Sequence, residues 1–167
     1  KTLLLTLSLD AIAFLACNPS IGGTSKGQLV SEIDALGGEM GVNADKATIQ
    51  LRMLNRGKGP AVHSLRGQID RKRYHIEMKK RIELQENLIL KQAEIVEILT
   101  EDGKVSGVVT HTGMEYGTKA VIIATGTYLK GKILMGDYDR ESGPDGTFPA
   151  NALSENLRSL GLTIRRF

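Results

Sequence analysis

A single cysteine, Cys17, stands in 167 residues. That excludes an internal disulfide framework, as expected for a reducing, cytoplasmic compartment. It also removes any credible zinc site, because His63, His75 and His111 have no metal-ligand spacing among them. No run approaches the roughly 18 apolar residues that cross a bilayer. The leucines from Leu3 to Leu9, leading to Phe14-Leu15-Ala16-Cys17, imitate a lipoprotein leader, but Asp10 interrupts them and Lys1 is the only cation ahead of them. Internal repeats and low-complexity tracts are absent. There is no methionine at position 1, and the first element reads as the middle of a fold, so the chain is expected to be a fragment.

What is present is a globular composition, 41% hydrophobic and 25% charged, long enough for one ordinary domain. The net charge of +3 hides an asymmetry. Arg52 to Arg81 holds ten lysines and arginines against Asp70 and Glu77, a net of +8, which leaves −5 for the rest. Such a segment suits an anionic partner with a phosphate backbone, or is simply a solvated basic helix. Aromatics are 4% of the chain, and in this segment only Tyr74 and His75 are available to stack on bases. The balance favours phosphate contact over base readout, with Arg52, Lys58, Arg66, Arg71, Lys72 and Arg73 as candidate RNA-binding residues.

Thr2–Thr6 reads as a short buried strand. Asn18 to Gly27 reads as a loop. A helix is expected over about 28–36, with Leu29, Val30, Ile33 and Leu36 on one face and Gly37-Gly38 as its stop. Loops with short helical turns are expected over 41–67, then a longer helix over about 67–86 with a thin stripe of Leu65, Ile69 and Ile76. Strands follow over 88–90, 95–99, 105–110, 115–117 and 120–124. Glu101-Asp102-Gly103-Lys104 and His111-Thr112-Gly113-Met114 serve as hairpin turns. Ala120-Val121-Ile122-Ile123-Ala124 is apolar throughout and is expected inside a sheet. Residues 130–149 read as loop, and 153–160 as a last helix.

Three features carry possible chemistry. Ala124-Thr125-Gly126 ends an apolar strand in small residues, so a ligand can approach the backbone at the sheet edge; otherwise it is a strand stopping at a turn. In Cys17-Asn18-Pro19-Ser20-Ile21-Gly22-Gly23-Thr24-Ser25-Lys26-Gly27, glycines and hydroxyls precede a helix. Backbone N–H groups there, with Lys26, suit an anion such as a flavin pyrophosphate; a plain chain reversal is the other reading. The spacing is neither that of a P-loop nor G-x-G-x-x-G. Cys17 is either a small packed residue or, beside a helix N-terminus and a lysine, a nucleophile suited to C6 of a uracil.

Residues 17–27, Glu32-Ile33-Asp34-Ala35-Leu36-Gly37-Gly38, Gln50-Leu51-Arg52-Met53-Leu54-Asn55, Lys58-Gly59-Pro60-Ala61-Val62, Arg66-Gly67-Gln68-Ile69-Asp70-Arg71 and Gly126-Thr127-Tyr128-Leu129-Lys130-Gly131-Lys132 together resemble the glucose-inhibited division protein A family of tRNA-modifying flavoproteins. The resemblance is collinear over nearly the whole chain. It implies an α/β fold over 1–167: a partial FAD/NAD(P)-binding, two-dinucleotide-fold (Rossmann-like) domain without its first strand and glycine-rich phosphate loop. A β-meander and an inserted basic, mostly helical segment over about 41–86 complete it. The implied activity adds an aminomethyl or carboxymethylaminomethyl group to C5 of the tRNA wobble uridine. FAD is the implied cofactor, with NADH and methylene-tetrahydrofolate as co-substrates, in a homodimer that works with a GTPase and has no membrane association. By position, Cys17 matches a functional cysteine, and Ile95 and Ala150 match FAD contacts. Asn18, Gly22, Gly23, Lys26, Gly27, Thr125 and Gly126 complete the expected cofactor set. Alone, such a fragment is expected to be inert. The competing readings are a non-catalytic RNA-binding module and another FAD-dependent oxidoreductase of the same fold.

Overall fold

The computed structural model describes residues 1–166, a mixed α/β chain in two compact units that divide after Lys91. The first unit begins with β1 (Thr2–Thr6), which pairs with β5 (Leu88–Gln92) in a two-stranded sheet. Leu4 is exposed, so the strand expected at this place exists but is not buried. Between these strands lie β2 (Ser20–Gly22), α1 (Lys26–Ala35), α2 (Glu39–Ala47), β3 (Thr48–Leu54), β4 (Ser64–Ile69) and α3 (Arg71–Glu83). Strands β2, β4 and β3 form an antiparallel sheet with β4 in the middle.

This sheet corrects two expectations. Residues 18–27 contain a strand, and the basic segment over 41–86 is a β-hairpin as much as a helix. Period-two alternation explains it: Ser64, Arg66 and Gln68 point one way, and Leu65, Gly67 and Ile69 the other. Helix α3 starts later than expected because Asp70 caps it, its carboxylate accepting from the Arg73 N–H at 3.1 Å. The core joins Ile21, Ala44, Ala47, Ile69 and Tyr74. Ile69 does bury, but Leu65 and Ile76 stay exposed, and Tyr74 takes the inward position on α3. Helix α1 ends as expected. Gly37, at φ +83°, donates to Asp34 O and Gly38 to Ile33 O, both at 2.9 Å, which is a Schellman close. Of the face formed by Leu29, Val30, Ile33 and Leu36, Val30 packs against the core while the other three are exposed.

In the second unit β6 (Ile95–Glu101), β7 (Lys104–Thr110) and β8 (Glu115–Gly117) make the expected meander. Asp102 and Gly103, at φ +50° and +71°, form the tight turn between β6 and β7. Helix α4 (Ala152–Ser159) docks on β6, where Asn156 Oδ1 accepts from the Ile98 N–H at 2.9 Å. The stretch expected to be loop over 130–149 contains a hairpin, β9 (Lys132–Met135) with β10 (Tyr138–Glu141). Gly136, at φ +56°, opens its turn. Residues 120–124 form no strand, and Ile122 and Ile123 are exposed. An apolar run needs a paired strand on each edge, and no described strand of this chain pairs with it.

Candidate functional site

The glycine turn owes its composition to close packing. Gly22 and Gly23 take φ of +92° and +98°. A Cβ on Gly22 would lie 2.2 Å from Leu65 O, and one on Gly27 would lie 3.0 Å from the same atom. The glycines let the chain cross β4 at backbone distance and turn into α1. Gly23 N–H donates to Leu65 O at 2.8 Å and Gly27 N–H to Gly23 O at 2.7 Å. Those two groups are therefore spent within the protein, contrary to the expectation that the loop holds them out to an anion. Asn55, at φ +61°, ties the turn to the end of β3 by donating to Thr24 Oγ1 at 2.9 Å and to Val62 O at 3.0 Å. Asn18 and Lys26 are exposed at the two ends of this segment, Lys26 as the first residue of α1.

Cys17 is exposed and forms no disulfide. The segment before it is anchored by two residues of α3. Arg71 Nη2 donates to Cys17 O at 3.4 Å while its guanidinium lies 5.6 Å from the Phe14 ring centroid. His75 Nδ1 lies 2.6 Å from Ile12 O. Arg71 therefore packs against the Cys17 segment. Nor are the two expected stacking residues free, since Tyr74 is buried and His75 is held by Ile12. Burial pushes the Tyr74 hydroxyl above its ordinary pKa of 10.0; the Asn43 amide acts against this shift and the Glu39 charge adds to it.

The polar face of the β2–β4–β3 sheet gathers residues that the sequence scattered. Arg52 faces Arg66 and Gln50 faces Gln68 across β3 and β4, while Ser20 faces Gln68 from β2. Arg66 Nη2 donates to Ser20 Oγ at 3.2 Å. Gln50, Arg52, Leu54, Arg66 and Gln68 line a depression of about 200 Å³. Lys58 is exposed in the β3–β4 connection, its carbonyl 3.2 Å from His63 Nε2. Lys72 and Arg73 are exposed in the first turn of α3. The structure thus separates the six basic residues into a sheet pair, a helix pair, an anchor (Arg71) and a loop lysine (Lys58). The missed signal was the alternation Gln50-x-Arg52 and Arg66-x-Gln68 on neighbouring strands.

In the second unit, Gly126 has φ +56° and a Cβ there would meet nothing within 4 Å. Its backbone is open to a ligand, and Thr125, half-buried, precedes it. Ile95 opens β6, in register with Thr110. Ala150 N–H donates to Tyr128 O and its carbonyl accepts from Lys130 N–H, both at 2.9 Å. With both backbone groups bonded and its methyl buried, Ala150 offers a ligand no hydrogen bond. Among the described residues no group of His, Cys, Asp and Glu is placed to hold a metal ion, and no helix is long and apolar enough to cross a membrane.

The profile of the family described as glucose inhibited division protein A matches residues 1–167. A tRNA uridine 5-carboxymethylaminomethyl modification enzyme of Alkaliphilus oremlandii is 66% identical over the whole chain, which spans 26% of that protein. A Clostridium botulinum enzyme of the same name is 59% identical, with 27% of it covered. The GidA structure of Aquifex aeolicus in its form I crystal superposes on 95% of this chain and 26% of that one, with a TM-score of 0.89 and 49% identity. A GidA-related protein of Thermus thermophilus shares the fold at a TM-score of 0.59 and 24% identity. The chain spans about a quarter of the length of the curated relatives it matches.

Proposed function

The chain belongs to the glucose inhibited division protein A family, and we propose that it forms the part of a tRNA wobble-uridine-modifying flavoenzyme that presents the nucleophile Cys17 and grips the RNA strand. The observation that carries this reading is the exposed thiol of Cys17 on a segment anchored by Arg71 and leading directly into the cationic face of the β2–β4–β3 sheet. The relatives' printed names supply the substrate class, tRNA uridine.

The chemistry suits a thiolate. Addition of sulfur to C6 of uracil forms the S–C6 bond and moves the C5–C6 π pair to C5, which then attacks an electrophilic one-carbon unit. Loss of the C5 proton and expulsion of the thiolate restore the ring, and an amine replaces the departing tetrahydrofolate on the transferred carbon. Methylene-tetrahydrofolate is the proposed one-carbon donor and NADH the reductant. NADH is proposed to reduce the flavin, and FAD, when bound, would supply the redox chemistry of the site. Thr125, Gly126 and Ile95 fit such a group, because the backbone at Gly126 is open to approach; Ala150 fits only as a packing surface. Asn18 and Lys26 offer polar groups to the substrate side of the turn. The working assembly is proposed as a cytoplasmic homodimer with a GTPase partner.

A full-length family enzyme carrying this sequence, with Cys17→Ser, tests the reading. Wobble-uridine modification should be lost while flavin content stays at the parental level. Modification at the parental rate would return Cys17 to a packing role.

A further inference from the structure

Arg52 and Arg66 are direct cross-strand partners, and like charges so placed destabilise a sheet. Neither has a carboxylate partner among the described residues. Arg66 is steadied by Ser20, and the next cross-strand pair, Gln50 and Gln68, adds neutral amide donors beside the guanidinium groups. No acidic residue lines the depression. Its volume of about 200 Å³ falls below the ~300–1,000 Å³ of sites for drug-sized ligands. Two planar guanidinium forks match the oxygens of a phosphate. The sheet thus keeps a like-charge pair that an anion would relieve.

We propose that Arg52 and Arg66, with Ser20, Gln50 and Gln68, form a phosphodiester site that holds the RNA backbone next to the base on which Cys17 acts. The proposal rests on the reading above that the substrate is a tRNA. Two further observations favour an RNA backbone over the pyrophosphate of a dinucleotide. The lining has one apolar residue, Leu54, and no aromatic, so the rings of a dinucleotide would find no cover, whereas backbone contact needs none. Beyond the end of β3, Arg56 and Lys58 are exposed in the connection to β4 and add two more cations within a few residues of Arg52. The three peptide links from Cys17 to Ser20 limit their Cα separation to about 11 Å, so the thiol and the phosphate site share one stretch of chain.

Arg52→Gln, Arg66→Gln and the double variant, made in a full-length family enzyme carrying this sequence, test the site through tRNA affinity at several salt concentrations, flavin absorbance and melting temperature. Each single variant should reduce the slope of log affinity against log salt by about 0.7, the value for one contact to a single strand. The double variant should lose roughly tenfold or more in affinity, as for lost hydrogen bonds to a charged group. Flavin content should hold, and the melting temperature should stay level or rise because the like-charge pair is relieved. Parental affinity and slope in the double variant would overturn the site while leaving the tRNA reading intact. Flavin loss at unchanged tRNA affinity would overturn it in favour of the cofactor's phosphates. A lowered melting temperature in both singles would mean that the arginines serve folding, and would overturn it too. A parental enzyme that binds no tRNA would overturn both the site and the reading beneath it.

Discussion

Arg71 donates from Nη2 to the carbonyl oxygen of Cys17, a residue fifty-four positions earlier, and covers the Phe14 ring with the same guanidinium. One side chain on α3 thereby fixes the segment that carries the thiol.

Arg71→Gln should loosen that segment. The lost hydrogen bond and cation–π contact together cost about 1 kcal/mol of stability. The sharper readout is the alkylation rate of Cys17, which should rise as the segment frees, while modification of tRNA falls. Unchanged alkylation and unchanged modification would mean that Arg71 does not position the thiol.

Lys72 and Arg73 behave differently because they are exposed in the first turn of α3, where cations oppose the helix dipole. Lys72→Glu with Arg73→Glu should raise stability by roughly 0.3–1 kcal/mol per site. The same double variant should weaken tRNA binding and flatten its salt dependence. Gained stability with parental tRNA affinity would leave these two residues as a solvated surface.

The glycines of the turn and of the second unit should separate in a substitution series. Gly22→Ala drives a Cβ to 2.2 Å from the Leu65 carbonyl oxygen at φ +92°, so a loss of more than about 3 kcal/mol is expected. Gly126→Ala meets no atom within 4 Å and should cost only about 1–2 kcal/mol for its left-handed backbone. Its expected mark is reduced flavin retention, read from the absorbance of purified full-length enzyme. Full flavin content would remove Gly126 from the cofactor site.

Tyr74 makes the first unit sensitive to alkali. Burial raises its pKa above the ordinary 10.0, so the folded state keeps a proton that the unfolded state releases. The stability this gives is fully present below pH 10.0 and falls as pH rises through the folded-state value. Tyr74→Phe keeps the ring in the core and should flatten the decline above pH 10 in denaturant titrations. An identical decline in the variant would place its origin elsewhere.

Much of this was legible in the sequence because local rules and tertiary context agreed. Gly37-Gly38 stops a helix by backbone geometry alone, and Asp102-Gly103 makes a tight turn wherever two strands flank it. The sheet face was not legible. Residues 48–69 mix glycine, proline and charge, and their alternation emerges only once β2 pairs with β4. The apolar run at 120–124 misled for the opposite reason: its composition suits a central strand, but a strand also needs neighbours, which composition cannot supply. Tyr74 looked like an exposed stacking residue because α3 is so basic, yet a helix packed against α2 must turn one residue inward, and Tyr74 is that residue.

The central claim, that Cys17 attacks the uridine ring, is tested most directly by trapping. With tRNA carrying 5-fluorouridine at the wobble position, addition at C6 cannot be completed by loss of a C5 proton. Incubating a full-length family enzyme carrying this sequence with that tRNA and methylene-tetrahydrofolate, followed by denaturation, digestion and mass spectrometry, should give an adduct on the peptide containing Cys17. An active enzyme whose adduct lies on another residue, or that forms none, would contradict the account.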